Sequence, residues 1–130
     1  MELQLQTGLK GETSEQVTTE NTAVRYGSGS LQVYATPAMI GLLEAASLAA
    51  VEPHLPPGLS TVGIAVNISH IAATPVGMHV RATAELIEIA GKKLSFRVEA
   101  FDEKEKIGEG THQRYIIDIQ KFLQKTEGKR

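Results

Sequence analysis

Ala35-Thr-Pro-Ala-Met-Ile-Gly-Leu-Leu-Glu-Ala-Ala-Ser-Leu-Ala-Ala-Val51 carries a single charge, Glu44. An ionised carboxylate among apolar side chains is costly unless it is paired, hydrogen-bonded or neutralised. A helix that is apolar all round is a buried helix. The stretch therefore predicts a long buried helix in which Glu44 is either protonated or held by specific partners, and both are marks of a functional site. A helix face that meets solvent at one point would also explain the charge. Ile40 and Leu48, one turn away on either side, argue for burial, while Gly41 and Ser47 leave room for a ligand or another chain. The helix opens at Thr36-Pro37, with Thr36 as N-cap and proline in the first turn, where its missing N–H costs nothing. It runs to about Val51 and stops before Pro53, and Pro56-Pro57-Gly58 bars any continuation.

Outward from the helix the period changes. Upstream, Met1 to Thr19 alternates loosely and suggests a first strand. Glu20 to Ser30 reads as a polar loop with room for one helical turn and is the best candidate for a mobile lid, and Leu31 to Ala35 reads as a short extended run. Downstream, Val62, Ile64, Val66, Ile68 and His70 share one face of a strand, with Gly63, Ala65, Asn67 and Ser69 on the other. Thr74-Pro75-Val76-Gly77 is a turn. Val80, Ala82, Ala84 and Leu86 mark the next strand, and Ala90-Gly91-Lys92 a hairpin. Leu94, Phe96, Val98 and Ala100 mark another strand, Asp102 to Lys106 a turn, and Ile107 to about Ile119 the last strand. Gly108 and Gly110 within it suggest a bulge or a close approach. The polar tail from about Lys121 is expected to fray. Short connections favour an antiparallel meander, and one sheet wrapped around one apolar helix buries both. The predicted class is α+β, as a single domain over residues 1–130.

Composition narrows the function. The chain is 42% hydrophobic and 22% charged with a net charge of −2, an ordinary globular balance with no nucleic-acid footprint. It has no cysteine, which excludes thiol catalysis, disulfides and thiolate metal sites and is compatible with a reducing cytoplasm. No signal peptide and no membrane span are expected, since the longest apolar run is too short and interrupted. His54, His79 and His112 fall into no metal-ligand spacing, so no metal is expected. With no tryptophan and few aromatics the core must be aliphatic, and so apolar a helix in so small a domain calls for a partner surface.

Three polar groups stand where packing alone would not put them. Glu44 is the first. His70 continues the apolar parity of its strand; alone it would read as a core histidine bonded to a carbonyl, but beside a buried carboxylate the pair can shuttle protons near neutral pH. Thr36 is explained by capping, yet its hydroxyl sits where helix dipole and free N–H groups favour a developing negative charge. On residues alone the reading is a Glu–His acid/base or hydrolytic site in a helix-plus-sheet domain.

Ala35 to Ala46, Val66-Asn-Ile-Ser-His-Ile-Ala-Ala-Thr-Pro-Val-Gly77 and Ile107-Gly-Glu-Gly-Thr-His-Gln-Arg114 together resemble the hotdog-fold acyl-CoA thioesterases related to fluoroacetyl-CoA thioesterase. The resemblance runs from about Val17 to Phe122. It implies a hotdog fold, a curved antiparallel sheet around one long central helix, working as a homodimer, or a pair of dimers, with sites at the interface. It implies hydrolysis of a short-chain acyl-CoA with no cofactor beyond the CoA of the substrate, with Thr36, Glu44 and His70 catalytic, Gly63 beside the acyl group and Arg114 in the active site. A salt bridge of Arg114 with a sheet neighbour such as Glu99 would account for that arginine almost as well. The fluoroacetyl-specific member carries lid phenylalanines before the helix, whereas Tyr26-Gly-Ser-Gly-Ser-Leu31 has none, which leaves the acyl group open. Hotdog proteins that bind acyl-CoA without turnover, and hotdog hydratases, are the competing readings.

Overall fold

The computed structural model describes residues 4–130. Strand β1 spans Lys10–Gln16, a short helical turn Thr19–Asn21, α1 Ala23–Tyr26, α2 Thr36–Val51 and a second short turn Glu52–His54. Strands β2 Leu59–His70, β3 His79–Ala90, β4 Lys93–Phe101 and β5 Lys106–Asp118 follow, then α3 Ile119–Glu127. The five strands form one antiparallel sheet in the order β1-β3-β4-β5-β2. The first strand is thus shorter than its loose alternation suggested, and residues 1–3 of that reading lie outside the described residues. The segment read as a lid is two short helical turns, capped by Thr18 and Thr22.

The core lies where the period-two pattern put it. Val80, Ala82, Ala84 and Leu86 of β3, and Leu94, Phe96, Val98 and Ala100 of β4, are buried against Met39, Leu43, Ala46 and Ala50 of α2. Each fully buried Leu or Phe is worth about 1.5–3 kcal/mol of transfer free energy. The helix is not buried all round, however. Pro37, Gly41, Ala45 and Ala49 are exposed, so its apolar composition leaves an oily outer stripe.

Three further expectations are corrected. Thr36 is not the N-cap: Ala35 holds that position without a side-chain bond, and Thr36 is the first helical residue, leaving its hydroxyl free for another partner. The tail from Lys121 does not fray at once, because Asp118 caps α3 by accepting from the Lys121 N–H at 3.1 Å. The single-face parity of β2 is broken by a bulge between Gly63 and Ala65. Val62 pairs with Tyr115 and Gly63 with Arg114, but after the extra residue Val66 pairs with His112 and His70 with Gly108. In a regular strand positions 63 and 70 would point to opposite faces. The inserted residue brings both to the helix side.

Candidate active site

The first cluster forms at the N-terminus of α2. Thr36 Oγ1 lies 2.7 Å from His70 Nδ1. Thr36 is delivered by a strap held from both sides: the Ala35 N–H donates to the Asn21 carbonyl and the Tyr34 N–H to the Thr74 carbonyl, both at 2.9 Å. Under the strap Tyr34 is buried, and its hydroxyl donates to Glu15 at 2.5 Å. Burial, with Glu15 adding to it, raises the Tyr34 pKa far above the ordinary tyrosine value. On the other side Thr74 donates to Asp102 at 2.8 Å, which fixes the loop that follows His70. Burial lowers the His70 pKa, opposed by the Ala72 backbone. Its Nε2 is buried and makes no hydrogen bond among the described residues. Ala23, Ser28, Tyr34, Ile71 and Ala72 line the adjoining cleft of about 350 Å³. A larger groove of about 440 Å³ between β1, β3 and β4 is lined by Lys10, Glu12, Glu85, Arg97 and Glu99; its charges pair across the sheet and it carries no such constellation.

The second cluster gathers around Glu44, where α2 crosses β5 and β2. Arg114 Nη1 is 3.7 Å and His112 Nε2 3.9 Å from Glu44 Oε2. Arg114 is buried and held at two further points, Nε donating to Thr61 Oγ1 at 2.7 Å and Nη2 to the Thr61 carbonyl at 3.0 Å. The pairing of Arg114 with Glu99 does not occur; Lys106 takes Glu99 instead. Gly63 completes the cluster by what it lacks. A Cβ there would stand 2.6 Å from Glu44 Oε2 and 3.1 Å from His112 Cε1. Gly108 and Gly110 likewise mark close approaches, to the Met39 sulfur and the Asn67 carbonyl.

Thus all five residues singled out from sequence border one of two clusters, but not as one group. Thr36 and His70 meet; Glu44, Gly63 and Arg114 meet; and the histidine beside Glu44 in this chain is His112, not His70. Thr36 and Glu44 lie about two turns apart on α2, roughly 12 Å of rise. The Glu44 side chain is 40% exposed on this side, so its surroundings are open to a further group. His112 was given no role although it lies within the Ile107–Arg114 stretch that carries the resemblance. Alternation, which places it on the Arg114 face of β5, is the further signal that could have found it. Among the described residues no cluster of His, Asp and Glu could hold a metal ion, and no helix is long and apolar enough to cross a membrane.

The comparisons with known proteins agree with this architecture. The family model of fluoroacetyl-CoA-specific thioesterase (FlK) matches residues 17–120. The fluoroacetyl-CoA thioesterase of Streptantibioticus cattleyicolor is 45% identical over 98 residues, 75% of this chain and 70% of that protein. A solved structure of the fluoroacetyl-CoA thioesterase FlK superposes with a TM-score of 0.90 at 36% identity, covering 97% of this chain and 98% of that one. A hot-dog-like protein from Thermanaerovibrio acidaminovorans, at 18% identity and a TM-score of 0.86 over 95% and 91% of the two chains, shares the fold. The helix cradled in a curved antiparallel sheet is the hotdog fold, and the chain belongs to the fluoroacetyl-CoA-specific thioesterase family.

Proposed function

We propose that this protein is an acyl-CoA thioesterase, a single hotdog domain that hydrolyses a short-chain acyl-CoA to the free acid and CoA. The observation that carries the reading is the 2.7 Å contact of Thr36 Oγ1 with His70 Nδ1 at the head of α2, with the second His70 nitrogen unpartnered beside a cleft. The small side chains of that cleft, Ala23, Ala72 and Ala73, suit a short acyl group. Free N–H groups in the first turn of α2 and the helix dipole stabilise the oxyanion as water attacks the thioester carbonyl. A carboxylate takes the water proton, the carbon–sulfur bond breaks, and the proton returns to the thiolate through His70. Thr36 orients the imidazole and the carbonyl.

Within one chain Glu44 stands too far along α2 to be that carboxylate for its own Thr36. The reading is therefore a homodimer in which Glu44 of one copy serves Thr36 and His70 of the other, with Gly63 and Arg114 shaping the half-site around Glu44. The exposed Ile64 and Val66 on edge strand β2 support a second copy there. The cysteine-free chain suits a reducing cytoplasm, the compartment proposed.

The test is steady-state turnover on a panel of short acyl-CoAs. Glu44→Gln and His70→Ala should each lose roughly 10²–10⁴-fold in kcat. Refolding the two variants together should restore activity, because a mixed dimer carries one intact site. Tight acyl-CoA binding by the wild type without hydrolysis would overturn the enzyme reading, and absence of complementation would overturn the shared site.

A further inference from the structure

His112 is the most enclosed ionisable side chain of the Glu44 cluster, 1% exposed, and the mechanism above gives it no part. Its Nδ1 lies 2.8 Å from the Ala65 carbonyl, the first residue after the β2 bulge, and its Nε2 3.1 Å from Arg114 Nη1. These partners fix the tautomer. A carbonyl only accepts and a guanidinium only donates, so Nδ1 carries the proton and Nε2 is bare. The ring is held flat by Phe96 of β4, stacked at 6.3 Å between centroids and 30° between planes.

We infer that His112 is a positioning residue for the reaction: it joins the β2 bulge to Arg114 in one hydrogen-bond chain and so aims the guanidinium at the Glu44 carboxylate. The inference rests on the thioesterase reading for its catalytic consequence. Among the described residues two of the three hydrogen bonds of Arg114 come from Thr61 and fix Nε and Nη2. Only His112 fixes Nη1, the nitrogen that faces Glu44. Because Nη1 gives one hydrogen to His112, its other hydrogen is left to face the carboxylate. The bulge serves the same end, turning the Ala65 carbonyl and the bare Gly63 toward the ring. A protonated His112 would set a second donor against Arg114 and break the chain. The charged groups that face it are Arg114 from its own strand and Glu44 from α2, with Ala65 from β2 and Phe96 from β4 contributing none.

Two variants separate positioning from mere structure. Asparagine reaches as far as Nδ1, keeps the bond to Ala65 and drops Arg114. Glutamine reaches as far as Nε2, accepts from Arg114 and drops Ala65. His112→Gln should keep kcat within about fivefold of wild type, the weight of one ordinary hydrogen bond. His112→Asn should lose about 10- to 100-fold in kcat with KM little changed, as a misaimed carboxylate does. The reverse ranking, equal losses in both, or wild-type kcat in His112→Asn would overturn the inference. Nitrogen-15 shifts of His112 in the unmodified protein give an arm independent of folding and of activity: a proton on Nε2 rather than Nδ1 overturns it. A wild type that hydrolyses none of the acyl-CoA panel, with His112 protonated on Nδ1, would refute the thioesterase reading and leave the hydrogen-bond chain standing.

Discussion

Replacing Gly63 with alanine tests the Glu44 half-site more sharply than replacing Glu44 itself. The new Cβ would stand 2.6 Å from Glu44 Oε2, where ordinary contact begins at 3.4 Å, so the carboxylate must retreat by at least 0.8 Å. It is the far end of a flexible, 40% exposed side chain and moves at little cost. His112 Cε1, at 3.1 Å, must give by a few tenths of an ångström against its bonds to Ala65 and Arg114, a small cost. Against these stands the gain of about 0.5–1 kcal/mol from replacing glycine within a strand. The net stability change in Gly63→Ala should therefore stay within about 1 kcal/mol, read by urea denaturation. Catalysis should not be spared, since a displacement near 1 Å can cost about 10²-fold. Because both changes act through one carboxylate, Gly63→Ala combined with Glu44→Gln should be no slower than Glu44→Gln alone, a non-additivity that steady-state kinetics reads directly. Wild-type kcat/KM in Gly63→Ala would refute the reasoning, and so would a loss of activity explained by unfolding.

Gly110→Ala should behave in the opposite way: its Cβ would meet the Asn67 carbonyl at 2.0 Å, a backbone atom that cannot retreat, so stability should fall by about 3 kcal/mol in urea titration. Tyr34→Phe leaves Glu15 without its donor and should cost about 1–2 kcal/mol at neutral pH. The folded Tyr34 pKa is raised, so the wild type should lose stability as pH climbs above 10, a loss that thermal denaturation of Tyr34→Phe should not show. His70 and His112 are both lowered by burial from 6.5, so the folded state binds fewer protons than the unfolded chain; stability should fall as pH drops below 6.5, and the acid limb of kcat/KM should lie below 6.5 in a stopped-assay pH profile.

The fold was largely legible because its signals are local. The single charge in Ala35–Val51, the proline at its head and the prolines beyond its end define α2 within the chain itself. The alternation in β3 and β4 gives their buried faces residue by residue. The misreadings share one cause, which is that tertiary partners decide between local options. Thr36 resembles an N-cap, yet the hydroxyl is taken by His70 across the fold. The run from Val62 to His70 alternates in sequence, yet the bulge interrupts it, and the bulge is stabilised by His112 from another strand. Arg114 had two nearly equal readings because nothing in the chain order announces Thr61 as its partner.

Why Glu44 should be so isolated in sequence follows from the same geometry. Thr36 and Glu44 share a helix but differ by about 80° around its axis and about 12 Å along it. A thioester carbonyl within hydrogen-bond reach of one cannot touch the other. The distance is fixed by α2 and no side-chain rotation removes it, so a reaction that uses both must take them from two helices. In the proposed homodimer a two-fold axis beside β2 would supply this, bringing the head of each α2 toward the middle of its mate. The oily outer stripe of Pro37, Gly41 and Ala45 and the exposed Ile64 and Val66 then read as surface reserved for assembly and substrate rather than as a defect of the core. Within that surface Glu44 stands 3.7 Å from the buried Arg114 guanidinium with its side chain 40% open to solvent, and the two together lower the cost of placing an acidic residue in so apolar a helix.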